Sequence, residues 1–243
     1  MLKLAFEAPI WNTGLALEMG DYAFVIASKL LSSPEYARAI KACKKPKYLD
    51  NGAYEGELLT TDELLSLAET YKPEVVVAPD IIGDAEQTIE LTKGFVEKLT
   101  SKHTFKVMFV PQGDDNVEKI ACYHEIADFL AFHEREAIVG LGLGAFKKDW
   151  RERYKFYATY SGEIEVVRIH ILGAANLVDI LLWNDVADTL DTSLPFHLAQ
   201  EGQNLVFNVK RTKRINWNVP LKNEGLTTAT FNLGVIRRAL ENA

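Results

Sequence analysis

A short apolar run, a turn and then a helical pattern recur along almost the whole of this chain. That recurrence restricts the fold more than any other feature. The runs are KLAFEAP (3–9), YAFVIAS (22–28), KYLDNG (47–52), EVVVAPD (74–80), FKVMFVPQ (105–112), AIVGLGLG (137–144), EVVRIHILG (165–173) and VADTLDTS (186–193), which makes eight candidate strands. Helix-start signals fill most of the gaps. Ser33 precedes Pro34 and Glu35, a cap residue before proline at the first helical position. Thr60 and Glu63 have capping-box spacing ahead of Leu64, Leu65, Ala68 and Tyr71, and Asp84 with Gln87 repeats that logic. Phe231, Val235, Ala239 and Leu240 predict an amphipathic last helix. Strands that alternate with helices pair in parallel through right-handed crossovers, and eight such units close a barrel. A length of 243 residues suits one (β/α)8 TIM barrel over 1–243, with 195–243 forming the last loop and the C-terminal helix. The competing architecture is an open doubly wound sheet, but no glycine-rich fingerprint follows the first strand.

Side-chain parity sharpens this reading, because successive strand residues point to opposite faces. Phe105, Val107 and Phe109 oppose Lys106, Met108, Val110 and Gln112. Val139, Leu141 and Leu143 oppose Ile138, Gly140 and Gly142, and Val167, Ile169 and Ile171 oppose Arg168, His170 and Leu172. Tyr22, Phe24 and Ile26 oppose Ala23, Val25 and Ala27. If the small or polar parity faces inward, the strands end on Asp50, Asp80, Gln112, Gly140 and Asp191, where active sites of such barrels lie. A strand-end aspartate can equally cap the next helix, which would account for Asp80 alone. Paired carboxylates suit cleavage of a glycosidic bond, one attacking the anomeric carbon while the other moves a proton. An aspartate beside a glutamine complements the edge of a purine. Asp50, Asp80 and Asp191 could instead hold Mg²⁺ through oxygen ligands, but there is no DxD cluster or HxH pair on one strand. Arg168 and His170 are expected to balance internal charge, with Glu7 as a candidate partner, and Trp150 and Tyr154 to pack on a helix.

Composition excludes some classes. A formal charge of −7 argues against a surface coated in basic residues, so nucleic-acid contact would need a local patch. Lys210, Arg211, Lys213 and Arg214, with Trp217 close by for stacking, form one; a solvated basic loop is the competing reading. No apolar run approaches the length of a membrane span, and Lys3, Glu7 and Pro9 interrupt any signal-peptide core, so a cytoplasmic protein is expected. Cys43 and Cys122 lie too far apart in sequence for a CxxC zinc knuckle and are expected to be buried small apolar residues.

At ADTLDTSLPFHLAQEG (187–202) the chain resembles the nucleophile segment of tRNA-guanine transglycosylases and their relatives, xDxFDxxLPTRxARxG. Asp188, Asp191, Leu194, Pro195, Ala199 and Gly202 keep register. LDNGAYE resembles the DSGGFQ segment, APDIIGD carries the aspartate at the base-reading position, VPQG resembles the QG motif, VGLGLGA a GGLAVGE-like segment and HILG the LMG segment. The resemblance implies a (β/α)8 barrel with Asp191 as nucleophile and Asp50 as the second catalytic aspartate. It implies a base pocket of Asp80, Gln112, Gly113, Gly140, Leu141, Leu172 and Gly173, with no metal and no cofactor in the reaction. The zinc site CxC…CxxC…H of the tRNA enzymes is missing, Phe196-His197 and Gln200 stand where the family's LPTRxAR has Thr-Arg and Arg, and Ala145 replaces its glutamate. The chain is therefore more similar to compact, zinc-free relatives of viral type, which place 7-deazaguanine bases into DNA. For such a relative the partners are guanine or a 7-deazaguanine and DNA, or else tRNA, in a cytoplasm that is the host's for a virus. A protein partner or a homodimer could present the nucleic acid. Two other functions share the pocket: an N-glycoside hydrolase, with water as acceptor, and a non-catalytic deazapurine-binding protein.

Overall fold

A computed structural model describes residues 2–164, 168–206 and 215–243. Val167 and the four basic residues Lys210, Arg211, Lys213 and Arg214 lie outside the described residues. The eight runs form eight parallel strands: β1 (Lys3–Phe6), β2 (Ala23–Ile26), β3 (Lys47–Asp50), β4 (Val75–Val77), β5 (Lys106–Phe109), β6 (Ala137–Gly142), β7 (Ile169–Leu172) and β8 (Thr189–Thr192). Their order is β1-β8-β7-β6-β5-β4-β3-β2, so the sheet curls until β1 and β2 face one another across a seam. Asp21 bridges that seam: its N–H donates to Leu4 O at 2.7 Å and its carboxylate accepts from Leu4 N at 2.7 Å. Arg237 of the C-terminal helix grips the same carboxylate at 3.0 and 3.1 Å. The architecture is a nearly closed (β/α)8 barrel, as the strand and helix alternation requires.

The expected caps hold the helices that follow the strands. Ser33 accepts from Tyr36 N ahead of Pro34–Ala42, and Thr60 and Glu63 form a reciprocal capping box on Thr61–Tyr71. Asp84 accepts from Gln87 N at the start of Ala85–Glu97. Each satisfies an N–H that the helix cannot bond internally. The last helix, Glu224–Glu241, turns its buried face differently from the sequence expectation. Ala229, Asn232, Leu233, Ile236 and Leu240 are buried, whereas Phe231 is exposed. Asn232 sets that rotation by donating to Pro195 O and accepting from Leu205 N, pinning the helix to the segment after β8.

Two apolar layers result. The outer one lies between sheet and helices and takes Leu4, Val25, Leu49, Val76, Val107, Val139, Ile171 and Leu190. The inner one fills the barrel with Ala5, Tyr22, Phe24, Tyr48, Val75, Val77, Met108, Val110 and Ile138. Parity is as expected for β5, β6 and β7 but reversed for β2, whose bulky Tyr22 and Phe24 point inward. The two rings pack on the His170 imidazole of β7 inside the barrel, while Leu172 and Met108 fill the space at Gly140 of β6, where an added Cβ would lie 2.8 Å from Leu172 Cδ1 and 3.2 Å from Met108 Sδ. Asp80 also departs from expectation. Val75 and Val77 face inward, so continued alternation would turn Asp80 outward; it reaches the barrel mouth only because β4 ends at Val77 and the chain bends. No described helix is long and apolar enough to cross a membrane.

Candidate active site

The strands release their C-terminal residues into a cavity of about 880 Å³ at the mouth of the barrel. Asp50, Asp80, Gln112, Leu172, Gly173 and Asp191 all line it. Gly113, Gly140 and Leu141 do not: Gly140 lies below the floor, Leu141 packs outward under the helices, and the Gly113 carbonyl accepts from Lys119 Nζ. From β6 it is Gly142, Leu143, Gly144 and Ala145 that reach the cavity.

Asp191 is 3 % exposed. Its Oδ1 lies 3.1 Å from both Gly173 N and His170 Nε2, and its Oδ2 is 3.2 Å from Gly173 N. His170, expected to balance internal charge with Glu7 as a candidate partner, lies against the carboxylate of Asp191. The pairing of β7 with β8 sets His170 opposite Thr189, and inward parity then brings Asp191, two residues on, to the other ring nitrogen. Asp50 accepts from Gly52 N at 3.0 Å. Burial, reinforced by the nearby Glu55, Asp80 and Asp191 charges, pushes the Asp50 carboxyl well above the usual carboxylate range, although the Gly52 bond opposes this. Glu55 is pushed up by burial too, and its Oε2 has no hydrogen-bond partner among the described residues. Both carboxyls thus accept a backbone N–H, Asp191 from Gly173 and Asp50 from Gly52, and Asp191 also faces the His170 ring.

A second group lies on the adjoining wall. Asp80 accepts from Asn51 Nδ2 through Oδ1 and from Gln112 Nε2 through Oδ2, both at 2.6 Å, while Gln112 Oε1 accepts from Gly83 N at 3.1 Å. Burial raises the Asp80 carboxyl to about 6, with the two amide bonds acting against it. Each oxygen of Asp80 retains a further lone pair for a ligand.

Sequence reasoning missed several residues. Arg153 and Asp179 are fully buried and paired at 2.8 and 3.0 Å. Arg153 Nη1 also donates to the carbonyls of Leu141, Leu172 and Gly173, lashing the ends of β6 and β7 together. The available signal was a charge within an apolar stripe, since Arg153 shares a helix face with Phe156, Tyr157 and Tyr160. Trp150, expected to pack, stands at the cavity rim beneath the Arg151 guanidinium, with Trp217 lining the same cavity. His197 is buried and lines the cavity 3.6 Å from Glu201. Among the described residues no three His, Cys, Asp or Glu side chains gather into a cluster that could hold a metal ion.

No family model matches this sequence, and neither does any curated protein. Among solved structures, tryptophan synthase subunit alpha from Legionella pneumophila str. Paris aligns with a TM-score of 0.57 at 9% identity, over 100% of this chain and 94% of that one. Phosphoribosyl anthranilate isomerase from Thermococcus kodakaraensis aligns with a TM-score of 0.48 at 15% identity, over 79% of this chain and 89% of that one. At 9% identity the likeness to the tryptophan synthase subunit is one of fold, and that fold is the (β/α)8 barrel.

Proposed function

We propose that this chain is a base-exchange glycosyltransferase that replaces guanine in nucleic acid, DNA in preference to tRNA, by a 7-deazaguanine through an Asp191-linked glycosyl intermediate. The observation that carries this reading is that two carboxyls, Asp50 and Asp191, line one cavity. Asp191 accepts from Gly173 N beside the His170 ring, and burial pushes the Asp50 carboxyl up. Two carboxyls facing one anomeric carbon divide into a nucleophile and an acid–base group.

In the first half-reaction an Asp191 oxygen attacks C1′ of the sugar. The C1′–N9 bond breaks, and the departing guanine takes the proton that Asp50 carries. In the second, a 7-deazaguanine enters, its ring N–H returns a proton to the Asp50 carboxylate, and its nitrogen attacks C1′ and releases Asp191. Asp80 and Gln112 read the base edge, for which the spare lone pairs of Asp80 suit the N–H donors of a guanine. The cavity volume exceeds that of a base alone, leaving room for the sugar, and the rim tryptophans Trp150 and Trp217 suit stacking of flanking nucleotides. A target in a duplex has to leave its stack to reach such a pocket.

Incubation with radiolabelled guanine and either DNA or tRNA tests this reading. Label entering DNA is the expected result. Release of unlabelled base without incorporation would make water the acceptor and the chain an N-glycoside hydrolase. Binding with neither outcome would make it a deazapurine-binding protein.

A further inference from the structure

We infer that His170 is a positioning residue for Asp191, donating from Nε2 to one carboxylate oxygen so that the other faces the substrate; this rests on Asp191 being the attacking group. The imidazole lies wholly inside the barrel at 0% exposure. The Phe24 ring stacks on it at 5.5 Å and 6°, and Tyr22 and Tyr48 enclose it at 6.3 and 5.8 Å. Rotation of the ring is therefore blocked by packing.

Hydrogen-bond chemistry then assigns the protons. Asp191 as a carboxylate can only accept, so Nε2, at 3.1 Å from Oδ1, must carry a hydrogen. Nδ1 lies 2.8 Å from Thr189 Oγ1, a group able both to donate and to accept, so Thr189 can satisfy Nδ1 in whichever form Nε2–H requires. Oδ1 of Asp191 is thus shared between His170 and Gly173, while among the described residues Oδ2 has only the longer Gly173 contact. Oδ2 is the oxygen left to approach C1′. A histidine that orients a carboxylate in this way acts without touching substrate, much as the partner of a metal ligand acts through the ligand.

The test has two readouts. Nitrogen-15 NMR of histidine-labelled protein is expected to show a protonated Nε2 on His170; a bare Nε2 would overturn the inference. This readout needs no turnover, so it separates failure of the inference from failure of the proposed activity. For turnover, His170→Leu is expected to lower kcat about 10–100-fold with KM for the base unchanged. His170→Gln, which keeps an N–H donor at similar reach, is expected to restore most of the loss. Thr189→Val, nearly isosteric, is expected to lower kcat by a smaller factor and serves if His170→Leu does not fold. Unchanged kcat in His170→Leu, or in Thr189→Val should that variant stand alone, would overturn the inference, as would a fall in His170→Gln as deep as in His170→Leu.

Discussion

Replacing Arg153, itself 0 % exposed, by methionine removes at least five hydrogen bonds. Two go to Asp179 and three to the carbonyls of Leu141, Leu172 and Gly173. Asp179 would keep its bonds from Ala175 N at 2.8 Å and Trp183 Nε1 at 3.0 Å, but its charge would be buried without a counter-ion. Breaking one partner of such a pair costs about 3–5 kcal/mol. In a chain of this size each kcal/mol shifts Tm by roughly 2–4 °C, so the variant should melt about 6–20 °C lower. Removing both charges behaves differently, because an apolar pair of similar volume is often neutral. Arg153→Met, Asp179→Leu and the double variant should therefore be compared by urea denaturation. The expected result is a double variant no less stable than either single one. A loss below about 1 kcal/mol in Arg153→Met, or strictly additive losses, would refute the argument. Because Arg153 also anchors Gly173, whose N–H holds Asp191, surviving Arg153→Met protein should lose turnover as well.

Asp80 titrates near 6 in the free protein, and donors on a bound base would stabilise its carboxylate. Base affinity should therefore rise as pH increases through about 6 and level off above it, with at most about a tenfold change per pH unit below. Calorimetric titration across that range checks the point, and Asp80→Asn should flatten the profile. Gly52 has φ +83°, and a Cβ there would lie 2.4 Å from Glu57 O. Gly52→Ala should distort the 51–59 turn, cost about 1–3 kcal/mol and weaken turnover through the lost Gly52–Asp50 bond, measured by denaturation beside an activity assay. Asp50→Asn should slow turnover about 10²–10⁴-fold by slowing both formation and resolution of the glycosyl intermediate, read by single-turnover kinetics.

The barrel was legible because its signals are local. Apolar runs, caps such as Thr60 with Glu63, and the parity of β5 to β7 all follow from a few neighbouring residues. The convergence of Asp50, Gln112 and Asp191 on one cavity followed from the same parity. What escaped depends on packing between distant segments. The inward turn of Tyr22 and Phe24 packs them on His170 of β7, a contact between distant strands. Asp80 reaches the mouth through a bend after β4 rather than through strand alternation. Glu55 enters the cavity on the turn after β3, where neither strand nor helix periodicity applies. His170 showed the right parity, but its partner was set by the register of β7 against β8, which no single strand reveals.

The most direct test of the account is covalent capture at Asp191. The protein would be incubated with a guanine-containing DNA strand, denatured rapidly and subjected to intact-mass and peptide-mass analysis. The account predicts an adduct carrying the strand's sugar on the peptide containing Asp191, formed by the unsubstituted protein and lost in Asp191→Asn. Base exchange that persists in Asp191→Asn, or an adduct that maps to another residue, would contradict it.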